Sequence, residues 1–453
     1  MDTHEEPSRN IPVKGSYDVL VIGGGPAGIG AALGAARTLR DTLGRKDARV
    51  LVVEQLNSFG GVGGAGGHGY MCLCNAWGSK DQVVGGVAWE LLTRLNAEGH
   101  GDLHPGSAFY DVEWYKFMVE RMFQEAGIEF LYHTFFCETI MDGDAAVGAI
   151  IQNKTGRQAV YAKRIIDCTG DADVAASAGC EYEHGRPGDG KCQPTTLMFT
   201  IGGVNWDKVK PWRTDYQMEH VWKEAQKNGD MEPFQSQIMG FWWNSTQPSY
   251  VGINFTHMTG IDSTKAEDLT RATVEGRRQA YHMIPVFRKY VPGMEDCYLI
   301  STGSTIGLRE SRRILGEYRL TEDEIKNECR FDDAICYGAF FIDIHALDEG
   351  GMEETTWRPP KNFRYQIPYR SLVPRKIDGI LTAGRCISVT HVGLGSVRVM
   401  SQCTATGEAA GTAAALSLDT DVMPRSIDTA ALREQLRQAG GIMSDSDIRP
   451  FET

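Results

Sequence analysis

Between a β-rich run and a helix of small residues the chain carries Gly23-Gly-Gly25-Pro26-Ala27-Gly28, a G-x-G-x-x-G fingerprint. Tyr17-Asp-Val-Leu-Val-Ile22 before it reads as a buried parallel strand, and Arg49-Val-Leu-Val-Val-Glu54 after it as a second. The opening is therefore a βαβ unit. Gly23 permits the tight turn, Gly25 lets a pyrophosphate approach the backbone, and Gly28 allows close helix–strand packing. The helix N-terminus, with Pro26 and Ala27 in its first turn, favours the phosphate charge. Glu54 stands 26 positions after Gly28, where a carboxylate accepts hydrogen bonds from a ribose diol. NAD and FAD both use this arrangement, so the rest of the chain must decide between them.

At 453 residues the chain is too long for one simple core, and two domains are expected. Its net charge of −13 argues against nucleic acid or an anionic membrane surface as partner. No apolar run approaches the roughly 18 residues of a membrane span. Met1–Asn10 is polar and acidic, unlike a secretory signal. The 11 cysteines are odd in number and scattered, which predicts neither a disulfide framework nor an iron–sulfur cluster, and no metal site is expected. A cytoplasmic enzyme with a small-molecule substrate is the expectation, with homo-oligomer formation left open.

After the first βαβ unit comes a glycine-dense loop from Phe59 to Tyr70, then helices over 87–98 and 112–126. Strands with turn signals at Asp142-Gly-Asp and Lys154-Thr-Gly fill the span from Ile128 to Asp167. Residues 203–364 differ in character: six of the nine tryptophans fall between Trp206 and Trp357, which suggests an inserted domain. That stretch includes a long helix over 268–290 and a capping-box start at Thr321–Glu324. Ile377–Gly384 is another strand-to-glycine junction, followed by an alanine- and glycine-rich helix over 397–418. The expected fold is α/β: a Rossmann-like dinucleotide-binding domain (central parallel sheet plus antiparallel β-meander) with an inserted α+β substrate or cap domain. The expected boundaries are 14–205 and 365–420 for the two parts of the first domain, 206–364 for the insert, and 421–453 for a polar tail carrying one short helical stretch.

The fingerprint, the Thr169-Gly170-Asp171 junction and the closing Leu381-Thr-Ala-Gly384-Arg385 strand resemble the glutathione-reductase-type FAD fold. More narrowly, Gly307-Leu-Arg-Glu-Ser-Arg-Arg-Ile314, Ala383–Ser388 and Gly395-Ser-Val-Arg-Val-Met400 resemble the FAD-dependent oxidoreductase family related to the fumarate reductase and succinate dehydrogenase flavoproteins. The resemblance implies FAD as cofactor. It implies that Gly23, Gly25, Gly28 and Glu54 hold the ADP half, and that Gly60, Gly61 and Gly63 pass beside the ribityl chain and flavin ring. Phe136 or Cys137 would contact adenine through the backbone, Gly170 and Asp171 would close the site, and Gly384 and Arg385 would meet the pyrophosphate and ribityl region. Many relatives place an aspartate where Arg385 stands. Ser396, Val397 and Met400 begin the helix whose positive N-terminal end suits the negative charge of reduced flavin. Arg398 either assists there or faces solvent or a carboxylate.

The chain lacks the second fingerprint and the redox cysteine pair of the disulfide reductases, so electrons are expected to come from substrate or an external donor or acceptor. For acid–base work beside the flavin His391 is the first candidate, with a loop-capping role as the competing reading. Arg309 is placed to bind a carboxylate substrate or donate a proton, unless it pairs with Glu310. Tyr369 and Tyr365 are hydroxyl donors to substrate, unless they pack in the core. His68 and Cys72 lie just past the glycine loop, where relatives of the succinate dehydrogenase type attach flavin to a histidine; the spacing here differs. His257, Trp242, Trp243 and Tyr250 are candidate cavity residues. The expected reaction is a two-electron transfer at a carbon centre of a small organic molecule. CH–CH dehydrogenation or ene reduction leads, ahead of alcohol or amine oxidation and of a non-catalytic flavin-binding role.

Overall fold

The computed structural model describes residues 4, 7–72, 74–212, 215–232, 240–243, 247–348 and 351–451. Val13–Ile22 lies near the middle of a seven-stranded sheet. On one side it pairs in parallel with Val50–Val53, which pairs in parallel with Glu129–Leu131. On the other it pairs in parallel with Gly156–Asp167. Ile22 stands level with both Val53 and Asp167 in these registers. Gly23, Glu54 and Cys168 therefore leave the sheet together at its carboxyl edge, where ligands of such sheets bind.

Gly156–Asp167 serves two partners. Its first half pairs antiparallel with Ala145–Asn153, which pairs antiparallel with Phe135–Asp142 to form the meander. Its last three residues pair in parallel with Ile380–Thr382, so the C-terminal part of the chain completes a sheet begun at residue 13. Two helices then lock the two ends of the chain together. Pro26–Arg37 lies directly on Met400–Asp419, a helix with 16 of its 20 residues buried. A helix buried nearly all round needs small residues where a neighbouring backbone passes: a Cβ on Gly411 would lie 2.1 Å from the Ala31 carbonyl oxygen.

A second apolar core is separate from the first. Phe199–Gly202, Gly240–Trp243, Val251–Asn254 and Tyr298–Thr302 form an antiparallel sheet. The long helix, Ala266–Tyr290, turns Ala272, Gly276, Ala280, Met283 and Phe287 inward at helical spacing. Phe199, Ile253, Phe255, Trp222, Met283 and Phe287 fill the space around them. The 206–364 span thus divides in its packing. Phe199–Gly202, ahead of it, joins the second sheet, whereas Leu320, Ile325, Tyr337, Ile342 and Phe363 pack into the main core. The capping box at Thr321 and Glu324 starts a short helix on this main-core side.

The last segment is more than a polar tail. Asp428 caps the helix Thr429–Gln438, Leu432 and Leu436 are buried, and Ile442 and Met443 enter the main core. Arg449–Pro450 pairs antiparallel with Asp81–Gln82. Among the described residues no helix is long and apolar enough to cross a membrane.

Candidate functional site

The fingerprint loop sits where three parallel strands end. Gly23 has φ +97°, and a Cβ there would lie 2.4 Å from the Cys168 carbonyl oxygen. Only glycine fits such a turn. A Cβ on Gly28 would meet the Gly23 carbonyl oxygen at 1.9 Å, so Gly28 serves packing and stays outside the cavity. Gly25 differs: nothing lies within 4 Å of its Cβ position. It precedes the helix that starts at Pro26, whose first turn has no side-chain cap. Free amide N–H groups and the positive end of the helix therefore face open space. Glu54, 5 % exposed, accepts hydrogen bonds from the Gly24 N–H at 2.6 Å and the Leu56 N–H at 2.8 Å. Burial raises its pKa and these backbone bonds lower it.

One cavity of about 540 Å³ joins these groups to the insert, within the usual size range of ligand sites. Gly23, Gly25, Pro26, Ala27, Glu54 and Phe136 line it at one end, and Gly170, Asp171, Gly384 and Arg385 line it further along. Gly170 has φ +79°, and a Cβ there would sit 2.4 Å from Arg385 Nη2. The bare glycine lets the guanidinium lie against the loop. Arg385 Nη2 pairs with Asp171 Oδ1 at 3.3 Å, while Arg385 Nη1 is buried without a hydrogen-bond partner. A buried guanidinium nitrogen with nothing to donate to, beside uncapped helix amides, is a site for an anion. A dinucleotide pyrophosphate fits it. Glu54 would hold the ribose diol, Gly25–Ala27 and Arg385 the pyrophosphate, and Gly61, Val399 and Met400, which line the same cavity, the isoalloxazine end.

The expected flavin-facing helix has a break. His391–Val397 is a short helix capped by Thr390, whose Oγ1 accepts from the Gly393 N–H. Val399 is extended, and the long helix begins at Met400. Its free N-terminal amides therefore lie near Met400, not at Ser396. Ser396 is buried, with Oγ donating to the Phe340 carbonyl at 2.5 Å and 2.7 Å from the Tyr365 hydroxyl. Val397 packs in the main core, and neither residue lines the cavity. Gly60 and Gly63 likewise shape the loop from behind: their Cβ positions meet Tyr115 and Met400 Sδ. Cys137 is exposed and away from the cavity, leaving Phe136 as the member of that pair that lines it.

Past Met400 the cavity reaches the insert, where Arg309, Asp343, His345, Arg398, Phe340 and Phe341 line it. Arg309, 8 % exposed, donates through Nη1 to the Pro194 carbonyl at 2.7 Å and to Thr196 Oγ1 at 2.8 Å. Burial and the nearby charge of Arg398 bring its pKa down to about 10, so it stays charged at neutral pH. Glu310 does not neutralise it. That carboxylate pairs with Arg313 Nη1 and with His391 Nδ1 at 2.7 Å. Arg398 is neutralised: its Nη2 lies 2.7 Å from Asp343 Oδ2 and holds that carboxyl well below the usual range against the cost of burial. Burial, with Arg309 as a lesser cause, lowers His68 to about 4, and burial raises Cys72 to about 12, so both line the cavity uncharged. Arg309 and Arg398 thus share this end with one carboxylate, Asp343, and with a third guanidinium, Arg358, which lies over the Phe341 ring.

Three catalytic candidates from the sequence separate here. Arg309 lines the cavity; His391 and Tyr369 do not. The His391 ring is buried against Glu310, and the Tyr369 hydroxyl donates to the Pro424 carbonyl at 2.8 Å. Tyr365 is buried against Ser396. His257 is buried, with its backbone N–H donating to Gln279, and like Tyr250 it lies off the cavity. Trp242 and Trp243 end the Gly240–Trp243 strand, and their side chains lie outside the described residues. Asp343 and His345 are the residues that sequence reasoning passed over. Their signal was an Asp-x-His alternation in an otherwise apolar run, which puts both side chains on one face of an extended chain.

Known structures resemble this chain only at a distance. A geranylgeranyl bacteriochlorophyll reductase-like protein of Thermoplasma acidophilum is 12% identical, with 94% of this chain and 84% of that chain covered and a TM-score of 0.46. The myxobacterial chondrochloren halogenase, an FAD-dependent halogenase, is 14% identical over 94% of this chain and 79% of that chain, also at 0.46. The p-nitrophenol 4-monooxygenase of Pseudomonas putida is 11% identical over 93% and 84%, at 0.45. Likeness of this degree carries no argument about mechanism. No curated protein sequence matches the chain. The family model described as FAD dependent oxidoreductase, by contrast, matches residues 18–436, nearly the whole chain, and the chain belongs to that family, an enzyme with FAD as its cofactor.

Proposed function

We propose that this oxidoreductase acts on a carbon–carbon bond of a small carboxylate-bearing molecule, as a CH–CH dehydrogenase or, in reverse, an ene-reductase. One observation carries the reading. Arg309 is buried, charged and lines the insert end of the cavity, yet its hydrogen bonds go to neutral acceptors. Asp343 offsets that charge only in part, being held by Arg398; a buried charge so incompletely compensated is costly, and a substrate carboxylate would remove that cost. FAD, when bound, supplies a two-electron acceptor or donor. Arg309 anchors the carboxylate and orients the neighbouring carbons. Phe340, Phe341, Met198 and Ile306 give the end an apolar wall that limits water. The second electron partner is an external carrier, in keeping with the single dinucleotide fingerprint.

The test is anaerobic. Saturated carboxylates are mixed with the oxidised holoenzyme, and α,β-unsaturated carboxylates with the photoreduced one, while the visible flavin band is followed. Stoichiometric bleaching or recovery by a carboxylate, with alcohols and amines silent, is the expected result. Arg309→Gln should lower kcat/KM at least about 30-fold, the effect of stranding one partner of a buried charge pair. Redox turnover of alcohols or amines, with carboxylates inert, would overturn the reading.

A further inference from the structure

Arg309 shares its end of the cavity with a histidine whose surroundings suit proton transfer. Asp343 and His345 both line the cavity, and His345 Nε2 lies 3.5 Å from Asp343 Oδ1. Arg398 Nη2 holds Asp343 twice, at the carboxylate (2.7 Å) and at the backbone carbonyl (3.0 Å). The clamped carboxylate orients the ring and favours the tautomer with the proton on Nε2. Nδ1 is left buried with no hydrogen-bond partner, the lone pair of a base. The groups that act on this ring are Asp343 beside it, Arg309, Arg398 behind the aspartate, and His257, whose ring centroid is 6.0 Å away. Burial foremost, and then the charge of Arg309, lowers the pKa of His345 to about 4. Without a substrate anion the ring is thus neutral, and Arg309 resists its protonation.

We propose that His345 is the proton acceptor of the reaction and that an anionic substrate switches it on: the carboxylate that neutralises Arg309 removes the charge opposing protonation of the ring. The inference rests on the carboxylate reading above. In the dehydrogenation direction the C–H bond beside the carboxylate breaks and its proton bonds to Nδ1. Its electron pair becomes the new C=C bond as the neighbouring carbon gives up hydride to the two-electron acceptor, FAD. In reverse the imidazolium returns the proton. The coupling makes His345 a stronger base when a substrate anion is in place, because opposite charges favour the protonated ring and like charges oppose it.

The experiment is an NMR titration of histidine ring signals in the holoprotein, with His345→Gln to assign the resonance and propanoate as the probe. Saturating propanoate should raise the His345 midpoint by about one pH unit, the scale of one nearby charge neutralised. Arg309→Gln should raise it without propanoate and abolish the further response. Arg309→Lys, which keeps the charge, should preserve the response and serves if the glutamine variant loses FAD. A midpoint that stays fixed while propanoate perturbs the flavin spectrum overturns this inference alone. A propanoate shift that persists in Arg309→Gln does the same. If propanoate fails to bind at all, the carboxylate reading falls, and this inference with it.

Discussion

Arg385 stands where many related flavoproteins carry an aspartate, and the structure says what the exchange of charge should do. In the protein without ligand, Arg385 has one ion pair, to Asp171 at 3.3 Å, with both side chains less than a fifth exposed. Its Nη1 is buried and unpartnered, which costs roughly what the ion pair returns. Arg385→Gln should therefore change the stability of the apoprotein by no more than about 1 kcal/mol. Asp171 keeps a hydrogen bond from Ser263 Oγ at 3.2 Å, so the loop is not left without support. The holoprotein is another matter. A charge-assisted hydrogen bond to a phosphate contributes about 1.5–3 kcal/mol, so the FAD Kd should rise about 10- to 150-fold. Rebinding of FAD to stripped apoprotein, followed by quenching of flavin fluorescence, measures the ratio directly. Urea unfolding of the apoprotein supplies the control. A Kd within about threefold of the parent, with apoprotein stability unchanged, would refute the placement of a phosphate against Nη1.

Three further outcomes follow from the same geometry. Gly411→Ala places a methyl 2.1 Å from the Ala31 carbonyl, which a packed pair of helices cannot absorb; urea unfolding should show a loss of at least about 2 kcal/mol, with weaker FAD retention. Glu408, buried in the same helix and accepting the Val87 N–H at 2.9 Å, has its pKa raised to about 7 by desolvation. Because the folded value exceeds the unfolded one, its stabilising contribution is full at low pH and is lost as pH rises through about 7, a swing on the order of 3 kcal/mol. Glu408→Gln should therefore match the parent at pH near 5, exceed it near 8, and flatten the stability–pH curve, as thermal melts across that range will show. His391→Asn should keep FAD and its spectrum while losing about 1–3 kcal/mol of stability, since it removes a partner of the buried Glu310 carboxylate; loss of flavin reduction with stability intact would instead give the ring a place in the chemistry.

What the sequence made legible was local. The fingerprint glycines, Glu54, the meander turns, the Thr321 capping box and the long helix each announce themselves within a few residues, through φ, period or cap. What it hid depends on partners far along the chain. His391 has the sequence context of a loop residue near flavin, but its ring is claimed by Glu310, 81 positions earlier. The helix break at Val399 has no glycine or proline to signal it. Val-Arg-Val-Met reads as continuous helix until Arg398 turns to Asp343.

That break decides how the two halves of the site communicate. Were the helix continuous from Ser396, its free amides would begin at residues that are buried against Phe340 and Tyr365, behind the cavity wall. By stopping at Arg398 and starting again at Met400, the chain moves the positive helix end to residues that line the cavity. The same step turns Arg398 onto Asp343, the carboxylate beside His345. One interruption thus gives a helix dipole that would face a cofactor placed as proposed and a clamp on the carboxylate beside His345. Of the cavity guanidiniums at that end, Arg358 lies over the Phe341 ring, Arg398 is spent on Asp343, and Arg309 keeps a charge only partly offset because Glu310 is held by Arg313 and His391. The buried Glu310 cluster therefore acts on the site without touching it: by occupying the one acid adjacent in sequence, it leaves Arg309 available to an anion from outside.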